Sequence, residues 1–156
     1  MMTMALVRVA RSDDLPAASA VCLAAFRGRV APTLGAEGVA TFEALAQPEA
    51  FAARQAGGNR LWVAEHAGRV VGVVELREQR HLSMLFVDPG CQGQGIGRAL
   101  VQAVVPAVLA EGLTVNASLT SVEAYLRFGF TCTGEVFEQR GLVCQPMVLA
   151  LEDRAP

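Results

Sequence analysis

The run VDPGCQGQGIGRAL, from Val87 to Leu100, constrains this chain most, because it joins an apolar strand, a glycine-rich turn and an amphipathic helix without a gap. Glycines alternate there at Gly93, Gly95 and Gly97. Backbone N–H groups are then free to close on an anion at the mouth of a helix whose dipole favours negative charge. Bulkier side chains would block that approach, so the segment reads as a pyrophosphate cradle.

Other glycine-rich phosphate loops fit worse. A dinucleotide fingerprint counted from Gly93 needs Gly or Ala three places after Gly95, where Arg98 stands. A Walker loop needs a lysine, and the chain has none. The pattern that remains is Q/R-x-x-G-x-G/A, with Gln92, Gly95 and Gly97 in the fixed places and Val87 and Pro89 just upstream. The apolar strand HLSMLFV precedes it, the helical pattern Ile96, Leu100, Val104, Val108 follows, and the segment VNASLTSVEAYLRFGF comes after that. On these residues, Leu82 to Phe130, the chain resembles the GNAT superfamily of acetyl-CoA-dependent N-acetyltransferases.

Composition bounds the alternatives. The 156 residues are 53% hydrophobic and 18% charged, which suits one compact domain with a sizeable core. MMTMALVRVARSDD contains no long apolar run, so neither a signal peptide nor a membrane anchor is expected. Cys22, Cys91, Cys132 and Cys144 form no C-x-x-C pair, which points away from zinc and disulfides and towards a reducing cytoplasm. His66 and His81, the only histidines, are too few for a histidine-based metal site. Net charge is −2 and the 13 arginines are scattered, so nucleic-acid binding has no support. A homodimer is compatible with all of this.

Along the chain, LVRVA reads as a strand, and Ser12 or Asp13 is expected to cap a helix running to about Phe26, with Pro16 in its first turn. Arg27 to Asn59 is alanine-rich and punctuated by Pro and Gly, suggesting short helices over Val39 to Ala46 and Pro48 to Gln55. LWVAEH, RVVGVVELR and HLSMLFV form an antiparallel meander, the first two joined at Ala67-Gly68. LTVNAS is a further strand, after which Thr120 and Glu123 form a capping box for a helix stopped by Gly129. FTCTGEVFE and GLVCQPMVLAL close the chain as an antiparallel pair, with Pro146 at an edge or bulge.

The resemblance implies a mixed α/β (α+β) fold: a mostly antiparallel central sheet flanked by helices. It also implies a V-shaped splay between LFV and TVNAS that receives acetyl-CoA. The expected reaction is direct transfer of acetyl to a primary amine in a ternary complex, with no metal and no acyl-enzyme. By the same resemblance Leu85, Phe86 and Val87 pair with the pantetheine arm, the Leu85 N–H polarising the thioester. Gln92, Gly93, Gln94, Gly95, Ile96, Gly97 and Arg98 hold the pyrophosphate. Asn116 and Ser118 lie near the arm, and Tyr125, in Y-x-x-x-G-F, donates to the thiolate. Reference values near ~10 for a phenol and ~8.5 for a thiol make full proton transfer uphill by ~2 kcal/mol, so hydrogen bonding is the larger contribution. Relatives that acetylate ribosomal protein N-termini use a glutamate where this chain has Leu113, which argues against that activity.

An alkylammonium of pKa ~10.4 must lose a proton before attack, at a cost of about 4.6 kcal/mol at neutral pH. His81 is the expected base, since imidazole titrates near neutrality; Glu65, Glu75 and Glu78 are rivals. Phe26, Arg27, Arg29 and Phe42 are expected to line the acceptor pocket, the arginines suiting a carboxylate or phosphate, and a small-molecule amine is favoured over a protein. The rival readings are a non-catalytic acetyl-CoA sensor and a cofactor-free domain whose glycine loop is only structural.

Overall fold

In the computed structural model, which describes residues 5–151, eight strands form one sheet in the order β1-β2-β3-β4-β5-β8-β6, with β7 also on β8. The strands are β1 (Leu6–Val9), β2 (Arg60–His66), β3 (Arg69–Arg77), β4 (His81–Val87), β5 (Gly112–Ser118), β6 (Thr131–Cys132), β7 (Phe137–Gln139) and β8 (Leu142–Ala150). The helices are α1 (Leu15–Ala25), α2 (Ala36–Leu45), α3 (Pro48–Ala56), α4 (Ile96–Val104) and α5 (Val122–Arg127). Among the described residues no helix is long and apolar enough to cross a membrane.

Strand alternation builds a core on each face of the sheet. Trp62 and Ala64 of β2 and Val74 and Leu76 of β3 pack with Ile96, Leu100 and Val104 of α4, while Leu61, Val63 and Val73 pack with Val21, Phe26, Phe42 and Phe51 on the other side. The predicted periodicity holds for Ile96, Leu100 and Val104, all buried on α4; the helix gives way to a 3-10 turn over Val105–Ala107, and Val108, also buried, lies beyond it in extended backbone. Arg8 ties the first strand down by pairing with both Asp14 (2.7 Å) and Glu65 (2.9 Å).

Two local expectations need correction. The first helix is not capped by Ser12 or Asp13: those residues form a 3-10 turn with Asp14, whose carboxylate accepts the Arg11 N–H at 2.6 Å, and α1 starts at Leu15. Nor does Thr120 open a capping box, because Leu119–Ser121 is itself a 3-10 turn and Ser121 is the residue before α5. Ser118 explains the shift, its hydroxyl lying 2.7 Å from that of Ser121 and drawing the loop onto the strand end.

Pro146 sits inside β8 rather than on a sheet edge, opposite Asn116. It falls between the stretches of β8 that pair with β7 and β6, so the proline coincides with the gap between two short outer strands.

The sheet's one parallel contact positions the site. β4 and β5 are in register only at His81↔Thr114 and Leu82↔Val115. Beyond Leu82 the two strands pair with their other neighbours and not with each other, which leaves a wedge-shaped opening. A bulge helps: Glu75 pairs with Met84 and Leu76 with Leu82, so Ser83 is an extra residue in β4.

Candidate active site

Backbone polarity follows from the β3–β4 ladder. Asp88 N–H donates to Val71 O at 2.8 Å, so residues alternating with it point to β3 while the N–H and C=O of Leu85 and Val87 face the opening. Gln92 Nε2 accordingly reaches Val87 O at 3.2 Å from that side.

The glycine loop takes the backbone shape that its composition requires. Gly93 and Gly95 have φ of +79° and +82°, and Gly95 is the residue before α4. Nothing stands within 4 Å of where a Cβ would lie on either glycine, so the space in front of the helix is clear. Gly97 has a different reason to be glycine: a Cβ there would meet the Phe128 ring at 3.0 Å.

Two cavities adjoin the opening. The first, about 420 Å³, is lined by Leu85, Phe86 and Val87 together with Gln92, Gly93 and Gly95 to Arg98. The second, about 150 Å³, lies between β4, β5, β8 and α2. Val30, Leu85, Phe86, Ser121 and Tyr125 form walls of both. The cavities therefore meet at the open edge of β4, opposite a tyrosine.

This geometry has a family counterpart: residues 30–151 match the model described as the acetyltransferase (GNAT) domain. The chain belongs to the GNAT acetyltransferase family. It is similar to the peptidyl-lysine N-acetyltransferase YjaB of Salmonella typhimurium, 40% identical over 78 residues that cover 47% of this chain and 52% of that protein. It spans about half, or somewhat less, of the curated relatives it matches (52%, 43% and 42% of their lengths). A GCN5-related N-acetyltransferase from Rhodopseudomonas palustris shares the fold with a TM-score of 0.82 at 24% identity, over 97% of this chain and 98% of that one. PaiA N-acetyltransferase from Thermoplasma acidophilum, solved with coenzyme A, gives 0.75 at 15% identity over 96% and 99%.

The GNAT domain places most expected cofactor residues in the first cavity, with three exceptions. Gln94 is exposed and lines neither cavity. Asn116 and Ser118 line the second cavity instead, because β5 turns away with β8. Arg98 lines the first but is partly committed, donating from Nη2 to Arg127 O at 2.7 Å and lying over the Phe128 ring.

Tyr125 is buried, its ring edge-on to Phe128 and Phe130. Burial pushes its hydroxyl above the ordinary phenol range, which keeps it protonated and a donor. His81 stands at the closed end of the wedge, its Nδ1 2.8 Å from Thr114 Oγ1, and lines neither cavity. Burial, assisted by Arg77, lowers its pKa to about 4. Position and basicity both argue against the role expected of it.

Arg27 is turned outward onto Glu43 (2.8 Å), and Arg29 borders the first cavity, so neither lines the second as expected; Phe26 and Phe42 do. Val30 and Phe128 were not anticipated from the sequence; a π-helical turn over Phe26–Val30 brings Val30 to the site, together with Arg29. Nor was Ser83, a wall of the second cavity whose Oγ donates to Glu75 Oε1 at 2.9 Å. Glu75 is fully buried and receives Arg54 Nε at 3.1 Å from behind. A polar residue inside the apolar run HLSMLFV was the available signal for Ser83.

Proposed function

We propose that this chain transfers acetyl from acetyl-CoA to a primary amine of a small molecule, by direct attack with both substrates bound. The observation that carries the reading is the junction of the two cavities at Leu85, Phe86 and Tyr125. The residues present fit coenzyme A: a clear left-handed glycine turn before α4 suits a pyrophosphate, and the outward-facing N–H groups of Leu85 and Val87 and the C=O of Leu85 suit an amide-bearing arm. Bound acetyl-CoA supplies an activated acyl group and a thiolate leaving group.

The Leu85 N–H orients and polarises the acyl carbonyl. Tyr125 donates a hydrogen bond to the departing sulfur. Ser83 replaces His81 as the group that meets the amine. Because its own proton is directed at Glu75, the Ser83 hydroxyl has lone pairs free to accept from an amine N–H in the cavity. An acceptor that arrives as an ammonium first loses a proton to Ser83 Oγ, the Ser83 proton passing to Glu75 and on to water; as the N–C bond then forms and the C–S bond breaks, the amine's next proton moves to Ser83 Oγ and the Ser83 proton to Glu75. Glu75 later returns it through Ser83 to water, and water protonates the thiolate that Tyr125 holds. Four free cysteines make a reducing cytoplasm the fitting compartment.

An acceptor screen reading free thiol from acetyl-CoA, with the acetylated product identified by mass, tests the proposal. Amine-dependent thiol release is expected. Binding of acetyl-CoA without release for any amine would leave a sensor in its place.

A further inference from the structure

The second cavity has a chemistry that selects its occupant. Phe26 and Phe42 stack in its wall with centroids 4.0 Å apart, and Phe86 meets Phe42 edge-on at 5.2 Å. Leu34, Leu45 and Met84 extend the apolar surface, and no Arg, Asp, Glu or His among the described residues lines it. Glu75 lies behind Ser83 with Arg54 already on it. A carboxylate or second ammonium entering this space would lose its water and gain no counter-charge, which costs several kcal/mol.

Size sets the other limit. A cavity of about 150 Å³, its wall mainly apolar with Ser83, Asn116, Ser118, Ser121 and Tyr125 as uncharged polar members, accommodates one benzene-sized group. Its roof is also fixed: α2 crosses to the turn between β7 and β8, where Thr41 Oγ1 donates to Arg140 O at 2.8 Å. Gly38 meets the backbone of Gly141 so closely that a side chain on either would strike the other.

We propose that the acceptor is a compact primary amine whose body is one uncharged ring, or an aliphatic group of that size, bearing no carboxylate, phosphate or second ammonium. This rests on the chain's being an acetyltransferase. The arginine-bound acidic acceptor suggested by residue type alone is replaced by an apolar one.

Phenethylamine and phenylalanine differ by one carboxylate and provide the direct comparison, with spermidine and a lysine-containing peptide alongside. Thiol release should favour phenethylamine over each by at least about 100-fold in kcat/KM. Calorimetry on the protein–coenzyme A complex should show phenethylamine binding and no phenylalanine binding. Leu142→Trp, which fills the cavity from the half-buried β8 wall, should raise the KM for phenethylamine at least about tenfold while coenzyme A still binds. Equal or faster turnover of phenylalanine, spermidine or the peptide would overturn the acceptor assignment and leave the transferase reading standing. Absence of thiol release with every amine would overturn the transferase reading, and the calorimetric comparison would then decide the cavity's preference alone: phenethylamine binding upholds it, its failure to bind overturns it.

Discussion

Tyr125 walls both cavities, and its hydroxyl is held protonated by burial, so its value to the reaction is one O–H bond. Tyr125→Phe retains the ring against Phe128 and Phe130 and removes that donor. Turnover should fall by about 10²-fold, with melting temperature and acetyl-CoA affinity unchanged. A loss of stability with full turnover per folded molecule would make it a packing residue. Ser83→Ala removes the acceptor for the amine proton. Its rate deficit should be largest near neutral pH and shrink as pH rises and free amine accumulates, whereas an unchanged pH–rate profile would remove Ser83 from the proton path. These residues were unequally legible in the sequence. Tyr125 and the loop from Gln92 to Arg98 belong to local patterns whose spacing carries their role. The Ser83–Glu75 bond depends on a bulge between two strands, and Arg98 is drawn to Arg127 of a helix far along the chain, which no local pattern encodes.

Elements hold the site through a few ties that can be tested separately. The Arg8 hydrogen bond, assisted by the Arg11 N–H, lowers the Asp14 carboxyl to about 2. Its ionised form therefore favours the folded state: the contribution is complete above about pH 4 and disappears as pH falls towards 2. Asp14→Asn should lower stability at pH 7 by about 1.5–3 kcal/mol, measured by denaturant unfolding, and flatten the acid limb. His81, lowered to about 4 from its ordinary 6.5, contributes in the same sense across a higher window. Stability should decline as pH falls from about 6.5 towards 4, and His81→Gln should lose that part of the decline with turnover at pH 8 little changed. Gly38→Ala pushes α2 off the turn after β7 and should cost about 1–3 kcal/mol while loosening acceptor selectivity. Strands β1 to β5 and β8, and the helices α2, α3 and α4, were readable because their periodicity and breakers are local, whereas the single strand expected over FTCTGEVFE is instead the two short strands β6 and β7. The π-helical turn at Phe26–Val30 and the start of α5 were not readable, since packing against β4 and the Ser118–Ser121 contact decide them.

At the scale of the molecule, two non-local facts turn a sheet into a candidate enzyme: β4 and β5 part after one short parallel contact, and α2 roofs the space that opens. Neither is visible in composition, and only the resemblance to the GNAT superfamily implied the first. An enzyme of this kind needs the glycine turn before α4 to cradle coenzyme A. The most direct measurement is calorimetric titration of the whole chain with acetyl-CoA, ATP and NAD, repeated on Gly95→Glu. Acetyl-CoA alone should bind, and at 100 times its Kd it should stabilise the fold by about 2.7 kcal/mol. Gly95→Glu, forced into a left-handed conformation with its side chain in the cleared space, should remain folded and lose that binding. NAD binding without acetyl-CoA binding, or undiminished acetyl-CoA affinity in folded Gly95→Glu, would contradict the account.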